Sequence, residues 1–165
     1  MNFKLNNLAE LVASTPNNFD HSVGYHDIRP FNKFDDKLMV LHRYPLNNLG
    51  FLEDETNIDI CLWDYHNSKI DKIDTTGAWS WEQGSRLQWL NEKEIIYNQI
   101  DDGKLVSCIY NIQEKKKKFL KNPVYSISKK TKRFLNINYS RLWNLWSTYG
   151  YHVINEKIDY QEIPK

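Results

Sequence analysis

One strand of this chain is written twice. NIDICLWDY (57–65) recurs as KLVSCIYNI (104–112) at an offset of 47, which sets Cys61 on Cys108 and Trp63 on Tyr110. A second motif is written three times, as DKLMVLH (36–42), KEIIYNQ (93–99) and KRFLNIN (132–138), at offsets of 57 and 39. A strand-rich unit of this length cannot bury its apolar face alone, so copies must stack on one another. That requirement limits the chain to a repeat architecture more firmly than any other feature does.

Periods of this size built from strands predict an all-β fold, a β-propeller of four-stranded antiparallel blades. Blade one reads as strands over 25–30, 37–42, 57–64 and 69–74. Blade two reads as 85–90, 94–99, 104–111 and 117–121, with Asp102-Gly103 as a tight hairpin turn. Blade three supplies 124–128 and 133–138, and then YSRLWNLW (139–146) takes helical spacing. Leu8, Leu11 and Val12 suggest a short amphipathic helix over 5–15, ahead of Pro16. The organisation expected is an N-terminal helix and linker (1–22), a partial propeller (23–151) of about two and a half blades, and a tail (152–165) that begins a missing continuation. Ring closure usually needs about four blades or more, so a fragment, or self-association at an open edge, is the expectation.

Unequal offsets locate the variation. Blade one carries YPLNNLGFLEDET (44–56) between its second and third strands, where blade two has a short turn. In antiparallel blades the second-to-third loops share a rim with the crossovers between blades. That rim would therefore collect 44–56, TTGAWSWEQG (75–84), the 100–103 turn and 139–151, all the long aromatic connections. The opposite rim would collect Lys115 to Lys118, Lys129, Lys130 and Lys132, with Lys121 and Arg133 near by. Lysines in hairpin tips are ordinarily solvated edge protection; nucleic-acid binding through them is the alternative.

Charge selects no partner, because 22 Lys and Arg stand against 21 acids. Six Trp, ten Tyr and seven Phe demand either burial or a flat ligand. No apolar run approaches the roughly 18 residues of a membrane span, and the N-terminus lacks the apolar core of a secretory signal, so a cytoplasmic protein is expected. Cys61 and Cys108 hold the same place in neighbouring repeats, too far apart for a disulfide, and read as small packing residues.

PFNKFDDKLMVLHR followed by IDICLWDYHNSKIDKI, and YSISKKTKRFLNI, resemble the WD-like repeat of bacterial Tol-type periplasmic and oligogalacturonate-lyase-type propellers. Lys33–Asp36 and Ser128–Lys132 stand where that repeat has a Pro-Asp-Gly turn, without its Pro or Gly. GAWSWEQGSRLQWL, IIYNQIDDGKLVS and INYSRLWNLWSTYGY also resemble the N-terminal part of a group of uncharacterised bacterial propeller proteins, over residues 22–151. The resemblance implies a fold and no reaction.

Five histidines offer no metal-ligand spacing, and neither metal nor cofactor is expected. His26, His42 and Arg43 would carry catalysis in the enzyme alternative, a metal-assisted polysaccharide lyase or hydrolase; structural histidines are the competing reading. No nucleophile elbow or phosphate loop is present. The favoured constellation is Trp79, Trp81, Gln83 and Arg86, joined by Trp143 and Tyr149: indoles stack on sugar faces, and Gln and Arg give directional hydrogen bonds. Packing between blades is the competing explanation for Trp79 and Trp81. The functional expectation is a non-catalytic scaffold that binds a glycan or a protein at the aromatic rim.

Overall fold

The computed structural model describes residues 11–33, 38–45, 56–128 and 130–152. It is predominantly β. Strands β1 (Asp20–Ser22), β2 (Leu38–Tyr44), β3 (Ile58–Asp64) and β4 (Lys69–Thr76) form one antiparallel sheet in sequence order. Strands β5 (Gln88–Trp89), β6 (Glu94–Asp101), β7 (Lys104–Asn111) and β8 (Lys116–Leu120) form a second sheet of the same order. A hairpin of β9 (Ser126–Ser128) and β10 (Arg133–Leu135) follows, then the short helix α1 (Tyr139–Leu145). Among the described residues no helix is long and apolar enough to cross a membrane.

The repeat extends to individual backbone angles. Asp64 caps the turn after β3 by accepting the Asn67 amide, and its counterpart Asn111 accepts the Gln113 and Glu114 amides after β7. Each turn then closes on a left-handed residue, Ser68 at φ 53° and Lys115 at φ 56°. Asp102 and Gly103 both have positive φ, as a two-residue hairpin turn requires.

Strand alternation gives each sheet two apolar faces, and the sheets stack through one pair of them. Val40 and Ile60 of the first sheet meet Ile95, Tyr97 and Cys108 of the second in one buried cluster, with Leu38, Leu62 and Tyr110 against it. Burying side chains of this size contributes about 1.5–3 kcal/mol each, so this contact dominates the fold. The outer face of the first sheet buries Met39, Leu41, Cys61 and Trp63 against Ala13. The far face of the second sheet receives Tyr139 and Tyr151 on Leu105. Both cysteines are free and buried, and burial raises the thiol pKa of each, that of Cys61 to about 11.

Three expectations need correcting. The first strand of the first sheet is β1 (Asp20–Ser22), whereas 25–28 form a turn; beyond it Phe31 bridges to Met39, with the Val40 amide donating to the Pro30 carbonyl and the Asn32 amide to the Leu38 carbonyl. Residues 11–16 carry no helix, and the rest of the expected N-terminal helix lies outside the described residues. The third correction concerns register. The motif alignment set Val40 against Tyr97, but Leu41 pairs with Cys61 and Tyr97 with Cys108, so Leu41 is the true counterpart of Tyr97. A one-residue slip exchanges the faces of a strand, and the corrected register makes His42 the counterpart of Asn98. Residues 46–55 of the long connection in the first repeat, and 153–165 of the tail, lie outside the described residues.

Candidate functional site: an aromatic rim above a buried polar seam

The crossover between the two sheets is built around one tight turn. Ser80 and Gly84 exchange backbone hydrogen bonds at 3.2 and 2.8 Å, and Gly84 takes φ 56°. Trp79 enters the turn buried, its indole N–H donating to the Thr56 carbonyl at 2.6 Å. Trp81 lies at the tip, 53% exposed. Its ring lies over Tyr44 at 5.7 Å and 13°, with Trp79 edge-on at 5.1 Å and 81°. Tyr44 is itself fixed by burial and by a 3.0 Å hydrogen bond between its hydroxyl and that of Ser22. The result is an exposed indole backed by two buried rings, a rigid flat platform with little rotamer entropy left to lose on binding.

A second aromatic group follows α1. Tyr149 sits edge-on to Tyr25 at 6.4 Å and 87°, and to Trp146 at 4.9 Å and 71°. The Tyr25 hydroxyl holds the Tyr149 phenol above its ordinary pKa. Trp146 is 62% exposed. Trp143 is half-buried against His152 at 5.2 Å, and Gly150 passes so near that a Cβ there would stand 2.0 Å from the Trp143 nitrogen.

Beneath the platform runs a polar seam. His42 is fully buried, and its Nε2 accepts the Ser85 amide at 3.2 Å with the Ser85 hydroxyl 2.8 Å away. Burial alone lowers its pKa from 6.5 to about 4, so the ring is neutral at pH 7. The ring lies flat against Gly84, where a Cβ would approach it to 2.4 Å. One repeat later Asn98 does the corresponding work: its Oδ1 accepts the Val124 amide at 2.6 Å and its Nδ2 donates to the Val124 carbonyl at 2.8 Å. Nδ2 also donates to the Tyr151 hydroxyl at 3.1 Å, and Tyr151 stacks on Tyr139 at 4.0 Å.

Arg86 crosses the whole seam. It is 1% exposed; its Nη1 and Nη2 donate to the Asp27 carboxylate at 3.0 and 2.7 Å, and its Nε to the Tyr125 carbonyl at 2.9 Å. The guanidinium carbon stands 4.4 Å from the centre of the Tyr125 ring.

The residues singled out in the sequence therefore separate. Trp81 is exposed and Tyr149 and Trp143 are half-buried; Trp79, Gln83 and Arg86 are buried, Arg86 with its donors engaged inside the protein. Gln83 Oε1 and His42 Nδ1 are buried without partners among the described residues. His26 sits in the 26–27 turn against Tyr25 at 4.0 Å. Arg43 is bound to Asp59 at 2.7 Å, which also takes Lys72, and lies over Phe19 at 4.4 Å. Among the described residues no three His, Cys, Asp or Glu side chains gather as a metal site would require. Tyr44, Asn98 and the role of Asp27 escaped the sequence reading, and Tyr151, expected among the rim aromatics, is instead fully buried. Tyr44 carried a usable signal, as the aromatic that opens the long connection; Asn98 becomes visible only once the register is right. No family model, curated protein or solved structure matches this chain.

Proposed function

We propose that the chain is part of a WD-like β-propeller, its two four-stranded sheets being successive blades and the β9–β10 hairpin the start of a third, and that it binds a glycan on its aromatic rim without catalysing a reaction. The observation that carries this reading is Trp81, half exposed and stacked flat on a buried Tyr44. A pyranose ring presents a face of axial C–H groups to such an indole, and a platform fixed in advance binds without an ordering cost. Trp146 and Tyr149 extend apolar ring surface along the same group of connections.

Catalysis has less support from the geometry. His42 is enclosed, and Arg43 is committed to Asp59. A glycan array followed by calorimetric titration tests the proposal. Saturable binding of an arrayed glycan, lost in Trp81→Ala and retained in Trp81→Phe, supports it. Binding unchanged in Trp81→Ala overturns it.

A further inference from the structure

The second strand of each four-stranded sheet is paired along both edges, whereas β10, the second strand of the hairpin that follows, pairs among the described residues with β9 alone. All three of its residues are exposed, Phe134 at 44% and Leu135 at 58%. An open strand edge with exposed apolar side chains is a template for another strand. Beside it runs a groove of about 260 Å³, floored by Ser107 and Leu120 of the second sheet and walled by Lys121, Pro123, Phe134 and Asn136. Leu120 is opposite Ser107 in the ladder, so both side chains belong to the sheet face turned towards β10.

Charge narrows what could lie there. Lys118 shares that face with Leu120 by strand alternation, and Lys118, Lys121, Lys130, Lys132 and Arg133 are all exposed. Between Gly103 and Ile154 the sequence has one acid, Glu114, and it is paired with Lys116. We propose that the free edge of β10 binds an extended acidic segment of a partner protein, which adds as a third strand and lays alternate apolar side chains into the Ser107–Phe134 groove. Main-chain hydrogen bonds to β10 supply affinity, the groove reads every second residue, and the lysines set the sign of charge. The inference stands apart from glycan binding, because it uses neither Trp81 nor Tyr149; in the propeller reading above, the partner's segment takes the place of the third strand of the third blade.

The test uses the full chain and two fluorescent nine-residue probes, one of alternating valine and glutamate and one of alternating valine and lysine. The glutamate peptide is expected to bind saturably, to weaken at least about fivefold in high salt, and to slow hydrogen exchange at the amides of β10. Phe134→Asp is expected to weaken it about tenfold; because Phe134 is exposed, the variant's melting temperature and circular dichroism should match those of the parent. Equal binding of the lysine peptide overturns the proposal. So does exchange protection confined to other strands, or binding indifferent to Phe134→Asp. A dimer that forms without peptide and protects β10 makes a second copy the occupant and equally overturns it.

Discussion

His42 and Asn98 occupy the same position in successive sheets and do the same work with different chemistry. Each is a buried polar side chain within a second strand that captures the backbone of the next incoming segment, Ser85 in one case and Val124 in the other. Asn98 satisfies both the donor and the acceptor of its residue; His42 takes one donor and leaves Nδ1 without a partner among the described residues. The difference shows that a repeat can preserve the capture of a neighbouring strand while changing how that capture responds to conditions. An amide holds its grip at any pH, whereas an imidazole holds it only while neutral.

The largest effect should come from the amide. Asn98→Leu strands the Val124 N–H and carbonyl in a buried site, and chemical denaturation should report a loss of about 3–4 kcal/mol. The imidazole should respond to acid instead. His42 titrates near 4 when folded and near 6.5 when unfolded, so the unfolded chain binds the extra proton between those values. Its neutral form stabilises the fold fully above about pH 6.5; stability should fall as the pH drops towards 4 and level off below, a loss on the order of 3 kcal/mol. Denaturation curves across that range should show a steeper slope in the parent than in His42→Gln, where His21, also lowered by burial, still contributes, while Asn98→Leu should keep the parent's slope.

Gly84→Ala sharpens the contrast further. Its methyl would collide with the His42 ring and sit at a left-handed φ, so a loss of about 2 kcal/mol in thermal unfolding is expected, reduced when His42 is shortened to Asn. The smallest effect belongs to the rim above. Trp81→Ala should change stability by no more than about 1 kcal/mol, because half of the ring is already in water, while abolishing glycan binding in calorimetry.

Local chemistry made much of the strand order legible. Asp102-Gly103 announced its hairpin, and the Cys61 and Cys108 equivalence survives in the ladders. Face assignment was less legible, because β2 and β6 are apolar on both faces and alternation cannot fix which residues point where. The first strand was misplaced for a related reason. HDIRP looks extended from its Ile and Pro, but its Asp27 is drawn into a turn by Arg86, a partner 59 residues away that no local pattern records. The same distance problem hid the division between Trp79 and Trp81. They are two residues apart in sequence, and only the Ser80–Gly84 turn sends one inward and the other to solvent.

Arg86 has a consequence for how the molecule comes apart. Stacked repeats that touch only their neighbours can fray one at a time, each unit lost at its own cost. Here a single guanidinium just ahead of the second sheet is bound to Asp27, ahead of β2 in the first, and to Tyr125 at the head of the β9–β10 hairpin. Peeling away either flank would leave a buried cation with part of its partners gone, which is more costly than losing the flank alone. One side chain thereby ties both flanks to the middle sheet, and unfolding should be a single cooperative step instead of a progression from one end.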